Sequence, residues 1–170
     1  MSASRSSEGV SWWARKVRQF ATHLHAGVRP EERRELEAWL TPEQRTLFES
    51  MHPADRRHGL DVVRRLRAEG WTEPDLLLAG LFHDAGKGRT GLWPRVAWSL
   101  GERYGPLPRR AAGLVPGLGS VLECLDRHPD TSAELAIRAG CSSRTADLIR
   151  HQAAPVDDAG RALHHADEAS

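Results

Sequence analysis

Six side chains of metal-ligating type stand in the order His58, His83, Asp84, His128, His151, Asp167. Imidazole mixed with carboxylate suits divalent first-row metals such as manganese, iron, cobalt, nickel or zinc, and does not suit soft thiolate metals. No cysteine joins the set, which argues against a structural zinc knot. The adjacent pair His83-Asp84 is the most informative part, because consecutive residues at the end of a buried helix place two ligands side by side where solvent can still enter. A carboxylate there can also bridge two cations. Two ions about 3.5–4 Å apart could hold a bridging hydroxide as nucleophile and bind phosphoryl oxygens as Lewis acids. That is the chemistry of phosphoester hydrolysis without a covalent intermediate. Lys87 supports it, since Lys16 and Lys87 are the only lysines of the chain and a compact ammonium is a good point-charge partner for a phosphoryl oxygen.

With these residues in place, His58, then Leu81-Phe82-His83-Asp84-Ala85-Gly86-Lys87, then Leu163-His164-His165-Ala166-Asp167, the chain resembles the HD superfamily through its H…HD…D signature. The resemblance spans roughly Ala54 to Glu168. It implies a helical, metal-dependent phosphohydrolase acting on nucleotides or related phosphoesters. His128-Pro129 and Leu148-Ile149-Arg150-His151 resemble the two additional histidines of binuclear HD proteins. By that resemblance His58, His83, Asp84 and Asp167 hold one metal, and His128 and His151 complete a second site with Asp84 bridging. Asp84 and Lys87 are then the catalytic pair, with Lys87 directed at the substrate phosphate and Arg95 assisting. The His-Asp-x-Gly-Lys run is similar to that of the HD-GYP phosphodiesterases. However, Gln152-Ala153-Ala154-Pro155 follows His151 and no GYP element is present, which argues against cyclic-di-GMP as substrate.

The elements that must position these groups read as helices throughout. Leu and Ala are abundant and runs of β-branched residues are missing, so no strand is expected. The expected fold is all-α, a compact helical bundle of the HD-domain type with an N-terminal amphipathic extension. Residues 1–50 form the tail and extension packed on the core, and residues 51–170 form the metal-dependent domain. Val10, Trp13, Val17, Phe20 and Leu24 draw an apolar stripe on a first helix. Pro30 opens a charged segment that runs through Leu40. Thr41-Pro42-Glu43-Gln44 supplies an N-cap, a first-turn proline and a capping-box glutamine for a helix to about Ser50. Ala54 to Glu69 carries Leu60, Val63 and Leu66 on one side and stops at Gly70.

Thr72-Glu73-Pro74-Asp75 caps the apolar run Leu76 to Phe82, whose C-terminal end presents His83-Asp84. Pro94 to about Arg103 reads as another helix, and the Gly- and Pro-rich stretch 105–119 as irregular. A helix bearing Val121, Leu122 and Leu125 is expected to end near His128-Pro129, since the residue before proline avoids the α region. Helices at Asp130–Ala139, Ser142–Gln152 and Ala159–Glu168 complete the bundle. His164, one turn before Asp167, can share its face. The arginines Arg56, Arg57, Arg64, Arg65 and Arg67 read as a solvated outer face.

At 170 residues, with 39% hydrophobic and 28% charged residues, the chain has the composition of one globular domain. Twenty-four Lys and Arg against 23 Asp and Glu leave no global basic field, so nucleic acid is not an obligatory partner. Cys124 and Cys141 form no disulfide framework, and no signal peptide or membrane span follows the polar start, which points to the cytoplasm. The Trp12-Trp13 helix is expected to dock on protein rather than on a membrane. The resemblance implies a small-molecule phosphoester or nucleotide as the partner, and the oligomeric state is not legible. Two other classes share this ligand set: a di-iron oxygenase on the HD fold, and a nucleotide-binding regulatory module with little catalysis.

Overall fold

The computed structural model describes residues 27–88 and 127–170. Among the described residues it is all-α, with seven helices and no strand. They are α1 (Pro30–Trp39), α2 (Pro42–Ser50), α3 (Pro53–Ala68), α4 (Pro74–Phe82), α5 (His128–Arg138), α6 (Ser143–Arg150) and α7 (Asp158–Ala169), with a 3₁₀ turn at Ala85–Lys87. The expected helix around Val10–Leu24 with Trp12-Trp13, the helix near Pro94–Arg103 with Arg95, and the irregular stretch 105–119 lie outside the described residues. None of the described helices is long and apolar enough to cross a membrane.

Local chemistry sets most of the boundaries. Thr41 Oγ1 accepts from Gln44 N at 3.3 Å while Gln44 Oε1 accepts from Thr41 N at 3.1 Å, the reciprocal capping expected from the sequence. Ser142 Oγ caps α6 through Thr145 N, and Asp157 Oδ1 caps α7 through Gly160 N. Helix α3 stops where Gly70 takes a φ of +92°, a conformation that costs an L-residue with a Cβ. Gly140 does the same after α5, with a φ of +79°.

Helix α4 lies at the centre, every residue from Leu76 to Phe82 being buried. It packs against α3, α6 and α7. Two glycines let α3 and α4 approach closely: a Cβ on Gly59 would lie 2.5 Å from the Leu81 carbonyl oxygen, and one on Gly80 would lie 3.0 Å from Leu66 Cδ1. The start of α4 is tied to that of α6, since Asp75 Oδ1 accepts from Ser142 Oγ at 2.6 Å and Thr145 Oγ1 at 3.0 Å. Leu36, Leu40, Leu47, Phe48 and Met51 enter the same core as α3 and α4. The described part of the N-terminal region therefore shares one hydrophobic interior with the residues that follow it.

Two expectations are corrected. His128-Pro129 opens a helix, two residues before the expected start at Asp130, while the expected helix bearing Val121, Leu122 and Leu125 lies outside the described residues. Proline in a first turn sacrifices only an N–H that has no intrahelical partner there, and this gain of a helix start outweighs the bias of the preceding residue. The α3 arginines are not simply a solvated face. Arg57 is 5% exposed and pairs with Glu32 at 2.8 Å and Asp61 at 2.7 Å. Arg64 also reaches Glu32, at 2.6 Å. Arg56 pairs with Glu49, and Arg67 pairs with Glu35 while lying 5.1 Å above the Trp39 ring. The charged segment from Pro30, which folds as α1, supplies Glu32 and Glu35. Burial alone would raise the Glu32 pKa, but hydrogen bonds from Arg57 and Arg29 hold it well below the carboxylate range.

Candidate metal centre

Four helices deliver the charged groups to one point. Helix α3 brings His58, the end of α4 brings His83 and Asp84, α7 brings Asp167, and α5 brings His128 from its first residue. His58 Nε2 lies 2.7 Å from Asp167 Oδ1, and the His58 and His83 rings meet edge to face with centroids 5.1 Å apart. His83 Nε2 lies 3.3 Å from Asp167 Oδ1 and 3.5 Å from Asp84 Oδ1. His128 Nε2 lies 3.7 Å from the same Asp84 oxygen. Donors about 3 Å apart are what bonds of about 2.1 Å to a common ion produce. Among the described residues, His58, His83 and Asp84 form the group whose donor atoms can share a cation.

Burial makes the arrangement costly without a ligand. His83 is 1% exposed and Asp84 is 3% exposed. Yet His83 Nε2 and Asp84 Oδ1 are both buried with no hydrogen-bond partner, a state that costs free energy unless something else satisfies them. His83 Nδ1 sits 3.0 Å from the Gly80 carbonyl. A carbonyl can only accept, so Nδ1 carries the proton, and in the neutral ring Nε2 keeps its lone pair directed into the cluster. Such backbone orientation of a ring is common where imidazole binds metal.

The electrostatics point the same way. Burial opposes a charged His83, but the Asp84 and Asp167 carboxylates outweigh it and raise its pKa to about 9. Burial likewise opposes ionisation of Asp84, and His83 with Lys87 reverses this, holding the carboxyl below its ordinary range. Asp167 is also lowered: His83 and His58 overcome the effect of burial. Two carboxylates thus stay ionised side by side, Asp84 buried and Asp167 partly open to solvent, an arrangement whose charge favours a cation. Lys87 Nζ donates to Asp84 Oδ2 at 2.6 Å. Burial would lower the Lys87 pKa, but Asp84 raises it, so the ammonium keeps its charge.

The spacing of the His-Asp-x-Gly-Lys run has a packing cause. Gly86 N donates to Ser132 Oγ at 2.8 Å, and a Cβ at Gly86 would lie 2.6 Å from both the His128 carbonyl oxygen and Ser132 N. Only glycine lets this turn rest on the first turn of α5, so the same contact seats Lys87 and His128.

His151 is not brought into the cluster. It is exposed at the end of α6, its Nδ1 is 2.9 Å from the Asp147 carbonyl, and it makes no hydrogen bond or ion pair with the other candidates. The chain turns inward one residue later. Gln152 is buried, with Nε2 3.2 Å from His128 Nε2 and Oε1 unpartnered. Residue type gave no signal for Gln152, because an amide carries none of the weight a histidine does in a metal motif. His164 lies 3.7 Å from Glu168 and does not reach the cluster. Arg95 lies outside the described residues.

A scan against protein-family models found no match, and searches among curated proteins and solved structures found none.

Proposed function

We propose that the chain is a metal-dependent phosphohydrolase of the HD kind, cleaving a phosphomonoester or phosphodiester of a small molecule such as a nucleotide. The observation that carries the reading is the pair of buried, unpartnered atoms His83 Nε2 and Asp84 Oδ1 facing His58 and Asp167. Charge and donor chemistry fit a divalent transition metal such as manganese, iron, cobalt, nickel or zinc, held by His58, His83, Asp84 and Asp167. When bound, such an ion supplies Lewis acidity towards a phosphoryl oxygen and acidifies water.

The protein's own groups have separable tasks. Asp167 holds His58 in place through the 2.7 Å contact, and Gly80 fixes the His83 tautomer. Lys87, anchored on Asp84, keeps a positive charge beside the carboxylates, where it offsets the charge that gathers on the phosphoryl oxygens as the ester bond breaks. The tight turn around Gly86 fixes the reach of that ammonium.

The test is metal analysis of the purified chain, followed by a panel of phosphomonoesters, phosphodiesters and nucleotides with each of the five metals, run with and without oxygen. Phosphate or nucleoside release that needs metal and proceeds anaerobically is expected. A folded, metallated protein that releases no product from any substrate refutes phosphohydrolysis. Substrate loss only with oxygen assigns the site to an oxygenase instead.

A further inference from the structure

A metal centre built on Asp84 can hold one ion or two, and the partners of Asp84 and His128 discriminate between them. A carboxylate that bridges two cations offers an oxygen to each. In Asp84 the two oxygens are not equivalent: Oδ1 is buried and unpartnered on the side of His83, whereas Oδ2 accepts from Lys87 Nζ at 2.6 Å. The position on the far side of the carboxylate already faces a cation that belongs to the chain.

The histidines tell against a second ion in the same way. His128 Nε2 is engaged by the Gln152 amide at 3.2 Å. An amide NH₂ donates into the Nε2 lone pair, and the flipped amide, with its oxygen towards the ring, requires a proton on Nε2. Either orientation gives that nitrogen a partner within the chain that competes with a metal for it, and the flipped one also satisfies the otherwise unpartnered Gln152 Oε1. His151, the other candidate for a second ion, is exposed and turned to the Asp147 carbonyl. A second divalent cation on Asp84 Oδ2 would also have to share that oxygen with the Lys87 ammonium.

We infer that the centre takes a single divalent cation, and that the Lys87 ammonium, seated on Asp84 Oδ2, occupies the place of a second one. This rests on the metal reading above and specifies it. Lys87 then does for the phosphoryl group what a second ion does elsewhere, as a tethered charge that is not lost to chelators. Gln152 is a positioning residue that holds His128 Nε2 on its amide.

The experiment is Mn²⁺ binding to the full chain by equilibrium dialysis, with electron paramagnetic resonance on the saturated protein. The wild type is expected to take up one Mn²⁺ per chain and to show the spectrum of an isolated ion. The double variant Lys87→Met, Gln152→His clears the ammonium and releases His128, and is expected to take up a second Mn²⁺ with exchange coupling. A wild type that binds two coupled ions overturns the inference while leaving the metal reading intact. A folded wild type that binds none defeats the metal reading itself. A folded double variant that still binds only one overturns the assignment of Lys87 as the second cation. Should the variant not fold, the wild-type stoichiometry and spectrum alone decide the number of ions.

Discussion

Gly59→Ala tests whether the approach of α3 to α4 sets the centre. The added methyl would lie 2.5 Å from the Leu81 carbonyl oxygen, 3.2 Å from its carbonyl carbon and 3.3 Å from its Cα. These are backbone atoms near the C-terminal end of the central helix, so no side chain can swing aside. Restoring ordinary contact requires the helices to part locally by about 1 Å in an interior that is packed like a crystal. Overpacking of this kind costs about 1–3 kcal/mol. For a chain of this size that lowers the melting temperature by about 3–10 °C. Gly59 follows His58 directly, and Leu81 stands two residues before His83. The displacement therefore pulls apart two groups whose rings meet at 5.1 Å, and Mn²⁺ affinity should fall at least about tenfold, as when the support of a metal ligand is lost. Thermal melts with and without Mn²⁺ and equilibrium dialysis read both effects. Gly27→Ala, where a Cβ meets nothing within 4 Å, is the control. If Gly59→Ala melts like the control and keeps wild-type Mn²⁺ affinity, close approach at this glycine does not position the cluster.

Three further outcomes follow from other contacts. Asp84→Asn keeps the shape of the side chain but removes its charge, so metal content should drop to near background while the far-ultraviolet circular dichroism stays helical; full metal content in this variant contradicts the proposed ligand set. In the metal-free protein His83 holds its proton up to about pH 9, and a ligand must shed that proton. Metal affinity should thus rise by about tenfold per pH unit from neutrality and level off above that value, and a flat profile in chelator-buffered titrations would sink the argument. Glu32→Gln should cost about 3 kcal/mol at neutral pH, the scale for breaking a largely buried ion pair. The native Glu32 pKa is depressed from its ordinary 4.5, so its contribution is full above that value and is lost as pH falls towards the native one. Urea melts of the two proteins should therefore converge in acid, and an equal gap at pH 7 and in strong acid argues against the Glu32–Arg57 pairing.

Several helices and their ends were legible in the amino-acid sequence because the forces that set them are local, whereas Pro30–Trp39 read only as a charged segment and His128-Pro129 as a helix end. Thr41 with Gln44, Ser142, Gly70 and Gly140 act over a few residues of chain, and the apolar run from Leu76 to Phe82 announces the central helix whatever surrounds it. The candidate ligand types were legible too, since imidazole and carboxylate chemistry does not depend on context. Tertiary structure decided the rest. That His151 stays in solvent while Gln152 turns in depends on where α6 ends against α5. That the α3 arginines clamp α1 depends on carboxylates about 25–32 positions away in sequence, beyond any local pattern. Which Asp84 oxygen meets Lys87 and which stays unpartnered follows from the seating of the Gly86 turn on α5, a contact between segments 46 residues apart. Helical periodicity places a side chain on a face, but only the packing of helices determines what that face meets.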